Sequence, residues 1–315
     1  PRPFWFFFTT AILADCRRMS KEPLHTGRIR SMRRGLGWIS LLLAIIFAST
    51  GDAAGEDQRI DVGGHHLRAR VVGEGQPAVI LETGMGESLE TWRDLPERLA
   101  ATTMVIAYDR AGLGESDLGP EPRDALAVAK DLRALLTGLE VPPPYLLVGH
   151  SLGGLYIRAF AHLYPQQVGA LVFIDATTED MHQSLKTAEG RADVMRQLEG
   201  DTEGVKAEAR GTPVSLEQIA EIGPPPDVPA VVLSAMAPVT IPEEYRQEAA
   251  AAGMSEQRLE ALQQRKFQLH ARLASQLPQS EHLVAEGSHH YIHDDEPDLV
   301  IDEIERLVRK LRVAD

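Results

Sequence analysis

Cysteine is almost missing from this chain. Its 315 residues hold one, Cys16, so a disulfide framework and a multi-cysteine metal site are both excluded. Basic residues are scarce as well, 32 Lys and Arg against 46 Asp and Glu, for a net charge of −14 and a pI near 5.3. A phosphate-backbone partner needs a basic face, and no basic cluster occurs in the body of the chain; nucleic-acid binding is not expected. Long apolar runs are lacking too. The one candidate, in "GLGWISLLLAIIFAST", is too short and too quickly polar to read as a membrane span. There is no internal repeat and no low-complexity linker.

That apolar stretch has a different meaning. Met32 is followed by Arg33 and Arg34, then by apolar residues through Phe47, then by small residues with Asp52-Ala53-Ala54 as a cleavage context. Charge, apolar core and small residues in that order read as a secretory signal. Residues 1–54 are therefore expected to be a leader, an upstream extension followed by a signal peptide over 32–54. The body, 55–315, is expected to be secreted or periplasmic, without stable membrane insertion; the alternative is an uncleaved N-terminal anchor. The apolar run lacks a cysteine at its end, which disfavours a lipid-anchored lipoprotein. Without its eight basic and three acidic residues the body keeps 24 against 43, a net −19, and has no cysteine to serve as a thiolate nucleophile.

From about residue 58 the pattern alternates strand and helix. "QRIDVGGHHLRARVVGEG" reads as a hairpin around Gly63-Gly64. "PAVILETG", "TMVIAYDR", "PYLLVGHS" and "GALVFIDA" are short apolar runs, as strands buried on both faces should be. "VPAVVLSAM" and "SEHLVAEGS" are two more strand candidates. Helical spacing marks "ESLETWRDLPERLAA", "DALAVAKDLRALLTGL", "LGGLYIRAFAHLY" and the closing "EPDLVIDEIERLVRKL". This order implies an α/β fold, a mostly parallel, doubly wound sheet with helices on both faces. The polar interval 177–229 is too long for a connection and reads as a small helical cap over the strands' C-terminal edge, where such sheets bind ligands. The charged stretch from Glu243 to Leu277 reads as a solvated outer helix.

Within "YLLVGHSLGGLYIRAF" the segment Gly149-His150-Ser151-Leu152-Gly153 fits G-x-S-x-G. The pattern is weak by itself; its setting between an apolar strand and a helix is what gives it force. A serine on so sharp a corner has its hydroxyl lifted clear of the sheet, beside the free amides of a helix N-terminus. It still needs an oriented base, and "AEGSHHYIHDDEP" offers His289, His290 and His293. Those three could also be metal ligands, but no recognisable zinc motif accompanies them.

With these residues in view, the chain over about 57–312 resembles the alpha/beta-hydrolase superfamily, within it the serine esterase and lipase-like members. The resemblance implies Ser151 as nucleophile. It implies His290 as base, some seven residues before a proline that opens the terminal helix, here Pro297. His289 is the lesser candidate and His293 a structural or surface residue. It also implies an oxyanion hole from the amides of Leu152 and Met85. Two departures are visible: Ser288-His289 precede the histidine where relatives carry a small residue, and Thr83-Gly84 replaces a common His-Gly. For the acid, the strand "VFIDAT" ends in Asp175, while the next, where many relatives carry the acid, offers only Glu243 or Glu244 further on. "YDRAGLGESD" reads as a structural turn beside the site, with Arg110 and Ser116 as lesser candidates for touching substrate.

The implied activity is hydrolysis of a carboxylic ester through an acyl-enzyme, with no cofactor and no metal, acting on a small-molecule ester or other acyl substrate. Amide, lactone and carbon–carbon bond cleavage and cofactor-free peroxidation remain alternatives, as does a catalytically idle ligand-binding protein. The sequence does not identify substrate-binding residues.

Overall fold

A computed structural model of the protein describes residues 55–182, 185, 187–243, 246–251 and 255–314. The expected leader, 1–54, lies outside the described residues. Eight strands form one sheet: β1 (Glu56–Asp61), β2 (His66–Val72), β3 (Ala78–Glu82), β4 (Val105–Tyr108), β5 (Tyr145–His150), β6 (Val168–Ile174), β7 (Ala230–Ala235) and β8 (Ser280–Ala285). Their spatial order is β1-β2-β4-β3-β5-β6-β7-β8. β1 and β2 pair as an antiparallel hairpin and β2 runs antiparallel to β4; every later pairing is parallel. Every residue of β3, β4, β5 and β7 is buried, which is why these strands read as unbroken apolar runs and not as alternating ones.

The helices follow the apolar spacing. α1 (Leu95–Leu99), α2 (Ala125–Gly138) and α3 (Gly153–Leu163) connect the first strands. α4 (Ala188–Gln197) and α5 (Glu203–Ile222) fill the interval expected to be a cap. α6 (Arg246–Ala251) and α7 (Glu256–Ser275) lie between β7 and β8, and α8 (Ile292–Asp295) and α9 (Pro297–Ala314) close the chain. One core cluster joins Val79, Leu81, Leu146, Val148 and Val172 of the sheet to Val300, Ile304, Leu307 and Val308 of α9. That spacing, three and four apart, is a single helical face. No helix among the described residues is long and apolar enough to cross a membrane.

Two sequence expectations change. The continuous helix expected over "ESLETWRDLPERLAA" divides into a 3-10 turn, Leu89–Trp92, and α1. Pro96 has no amide proton and fits only a helix's first turn, and Arg93 before it takes φ +49°. The stretch from Glu243 to Leu277 is not simply an outer helix. Gln263, Lys266 and His270 of α7, spaced by three and four, bond to Ala237, Asp175 and Ala176 beyond the ends of β7 and β6, and His270 is wholly buried.

Candidate active site

β5 ends at His150 and α3 begins at Gly153, so the chain must reverse within two residues. Ser151 makes that corner at φ +50°, in the left-handed region. Such a conformation costs a non-glycine residue about 1–3 kcal/mol and persists only where its surroundings impose it. Here they do. The Ser151 amide donates to Ile174 O (3.1 Å), and its carbonyl accepts from Gly154 N (3.0 Å) and Thr177 N (2.8 Å). The flanking glycines are steric necessities: a Cβ on Gly149 would stand 2.8 Å from the Gly153 carbonyl, and one on Gly153 would stand 2.4 Å from Glu82 O. Ser151 itself is partly exposed.

At the end of the neighbouring strand Asp175 repeats the anomaly, at φ +43°. Its side chain is completely buried and fully engaged. Oδ1 accepts from Ala235 N (3.1 Å). Oδ2 accepts from His290 Nδ1 (2.7 Å) and from Lys266 Nζ (2.5 Å). Burial alone would raise this carboxyl's pKa, but the Lys266 charge and the His290 hydrogen bond hold it far below the usual carboxylate range. The carboxyl is therefore ionised, and as it can only accept, Nδ1 is the ring nitrogen of His290 that donates to it.

Of the two other sequence candidates for the acid, the one that is described does not meet this histidine. Glu243 is exposed and pairs with Arg246 three residues on; Glu244 lies outside the described residues. His289 is likewise exposed, its amide donating to Asp295 Oδ2 (2.7 Å). His293, read as structural or surface, is buried: its ring lies 4.7 Å from Trp92 and 4.8 Å from His150, and neither nitrogen hydrogen-bonds to a described residue. Burial pushes its pKa well below the ordinary value. The three histidines thus diverge, and no cluster suited to a metal occurs among the described residues.

His150, beside the serine, brings the two halves of the site together. Its ring packs 4.7 Å from that of His290, and its Nε2 lies 3.2 Å from His290 O. Its Nδ1 faces Glu87 Oε2 at 3.3 Å. The same carboxylate accepts from Gly84 N (2.8 Å) and from Tyr291 OH (2.8 Å). Burial would raise the pKa of Glu87, yet His150 and Tyr291 bring it down to about 2. One carboxylate therefore joins the corner after β5, the loop after β3 and the loop bearing His290.

The loop after β3 is held from its other side by Arg110. This fully buried guanidinium donates to Glu82 Oε1 (2.7 Å), Thr83 O (2.9 Å), Thr83 Oγ1 (2.7 Å), Gly84 O (2.5 Å) and Glu208 Oε1. Glu208 Oε2 in turn accepts from Gly86 N (2.9 Å). Between these anchors the amide of Met85 donates to no described residue, nor does that of Leu152 in the corner after β5; an oxyanion hole needs amides so disposed. Arg110 is committed to this loop, and Ser116 Oγ bridges Arg68 N and Asp109 O; both serve the architecture.

Sequence reasoning missed Glu87, Lys266 and Glu208. For Glu208 there was a signal. It stands in a helical stripe of small buried residues, Gly204, Ala207, Gly211 and Ser215, a pattern that marks close approach to another backbone.

Comparison with known proteins agrees with this architecture. Residues 77–209 match the family model described as the alpha/beta hydrolase fold. A Hormonema carpetanum protein named "Probable transporter efuK" is 40% identical over 129 residues, 38% of this chain. The chain spans only 18% of the length of that relative, and 36% of each of three mycobacterial ones. Among solved structures, a thermophilic esterase from Thermogutta terrifontis superposes with a TM-score of 0.56 at 19% identity, covering 81% of this chain and 99% of that one. The enol-lactonase from Burkholderia xenovorans gives 0.58 at 18% identity, covering 80% and 100%. At such identities the likeness carries the fold and leaves the reaction to the site itself.

Proposed function

With the chain a member of the alpha/beta-hydrolase superfamily, we propose that it cleaves carboxylic esters of small molecules through an acyl-enzyme. The observation that carries this reading is the 2.7 Å bond from His290 Nδ1 to the buried carboxylate of Asp175, 115 positions away, with the His290 ring packed 4.7 Å from that of His150, the residue next to the strained serine. Ser151 Oγ attacks the ester carbonyl while His290 Nε2 takes its proton, and the carbonyl oxygen, now negative, accepts from the Met85 and Leu152 amides. Collapse expels the alkoxide, which takes the proton from His290. Water then repeats the sequence on the acyl-enzyme and releases the acid. Asp175 holds the imidazole by Nδ1 and stabilises the imidazolium in each half-reaction. No step calls for a cofactor. The charged, apolar and small-residue order at 32–54 supports export of the body.

A fluorophosphonate probe tests the chemistry directly. The wild-type protein should be labelled, and Ser151→Ala should abolish the label. A panel of p-nitrophenyl esters of graded length, run beside amides and lactones, should then show turnover chiefly with esters. Labelling that survives Ser151→Ala, or a wild-type protein that neither labels nor turns over any ester, overturns the reading.

A further inference from the structure

Lys266 has no place in the mechanism above, yet its ammonium reaches the oxygen of Asp175 that holds the base. Oδ2 accepts from His290 Nδ1 at 2.7 Å and from Lys266 Nζ at 2.5 Å, so the carboxylate is shared between an imidazole and an ammonium. The arrangement is built and not a chance surface pair. Asp175 is wholly buried and Lys266 largely so. Gln263 and His270, on the same face of α7, bond to Ala237 O (2.9 Å) and Ala176 O (2.7 Å). Arg272, farther along, pairs with Asp180 (3.1 Å). The helix is thereby fixed on both sides of Lys266, which points it at the carboxylate.

We infer that Lys266 is a positioning residue that sets the basicity of His290 through Asp175. This rests on the functional reading above for its relevance to turnover, though not for its test. A carboxylate facing an imidazole alone would favour the imidazolium strongly; sharing its charge with an ammonium reduces that pull. His290 then stays neutral, and able to accept the serine proton, into more acidic solution. The other titratable groups around the imidazole agree in sign or are neutral. Burial lowers its pKa first, the Asp175 bond raises it, and His150 and Lys266 lower it. His182, from the segment after β6, is itself held down to about 4 by burial and by His290. Tyr291 packs beside the ring at 5.5 Å, and His293 is held low by its own burial. Of these groups, Lys266 is the one whose ammonium touches the carboxylate of Asp175.

The experiment is a titration of His290 by NMR in full-length protein labelled at histidine carbon, its resonance assigned by loss in His290→Gln. In Lys266→Met the midpoint should rise by about one pH unit or more, while Lys266→Arg, which keeps the charge, should stay near wild type. In parallel, the acidic limb of kcat/KM on an ester substrate should move upward by the same amount in Lys266→Met, with the alkaline plateau largely kept. A purely structural lysine would lower the unfolding midpoint or the plateau and leave the titration where it was. An unmoved or falling His290 midpoint in Lys266→Met overturns the inference. The NMR result stands whether or not the protein hydrolyses esters, so a failure of the proposed reaction and a failure of this inference are read separately; if Lys266→Met does not fold, a midpoint in Lys266→Gln that equals wild type overturns it equally.

Discussion

Acidification should weaken this fold in a way that one buried histidine makes measurable. His270 is wholly buried, and its Nε2 donates to Ala176 O at 2.7 Å, which leaves Nδ1 to accept from Ser234 Oγ at 2.7 Å. Both bonds suit the neutral ring. Burial, opposed by Asp175 and aided by Lys266, brings its pKa down to about 4 from 6.5. The sign follows from proton counting. Below pH 6.5 the unfolded chain binds a proton at this position that the native state refuses until about pH 4, so stability present above 6.5 is lost as pH falls across that window. The slope is about 1.4 kcal/mol per pH unit, for a total of about 3 kcal/mol. The perturbation is His270→Gln, which keeps a donor and an acceptor and cannot titrate. Urea unfolding followed by circular dichroism, from about pH 7 to about pH 4, gives both stabilities. Depressed histidines elsewhere, His182 and His293 among them, act equally in both proteins, so the difference isolates His270. The variant should be less stable at neutral pH, and the gap should close by about 3 kcal/mol at the acid end. A gap that stays constant with pH refutes the claim that this ring is buried neutral.

Three further substitutions probe the site. Asp175→Asn should lower kcat by about three to four orders of magnitude, because an amide no longer fixes the tautomer or balances the imidazolium; Glu243→Gln, on an exposed side chain paired with Arg246, should leave steady-state kinetics unchanged, and a comparable loss there would reassign the acid. Glu208→Ala removes one carboxylate from the buried Arg110 and the acceptor from Gly86 N. About 3–5 kcal/mol of stability should go with it, together with turnover on the ester substrate; an unchanged urea midpoint would show that the loop after β3 does not depend on that ion pair.

Ser151, His290 and Asp175 could be singled out from the sequence because each stands at a locally marked position. Ser151 sits where an apolar strand meets a helix with glycines on either side, Asp175 ends an apolar strand, and His290 precedes Pro297 by seven positions. Parallel strands between helices were legible for the same reason, since burial on both faces leaves unbroken apolar runs. Of the groups that hold those residues in place, Glu208 is marked by its stripe of small residues, while Lys266 and Glu87 are announced by nothing nearby. Lys266 meets Asp175 across 91 positions, Glu87 meets His150 across 63, and Glu208 meets Arg110 across 98. A charged residue on an amphipathic helix carries no local mark of which way the tertiary packing will turn it, so the sequence of α7 alone points to a solvated helix. The first helix failed differently: apolar spacing was correct for Leu89, Trp92, Leu95 and Leu99, all buried, but Pro96 decided where a helix could start.

Glu87 has a consequence for the order in which the molecule becomes competent. Its carboxylate receives Gly84 from three residues away, His150 from 63 and Tyr291 from 204. Contacts of such separation are the slow ones in folding, since the loop they close must be ordered before any bond rewards it. The corner at Ser151 can form once β5, α3 and β6 are made, whereas His290 and Tyr291 arrive with nearly the last tenth of the chain. Under the proposed mechanism, a growing or partly folded polypeptide holds Ser151 without His290, and reactivity would begin only when the carboxy-terminal strand and helix have docked.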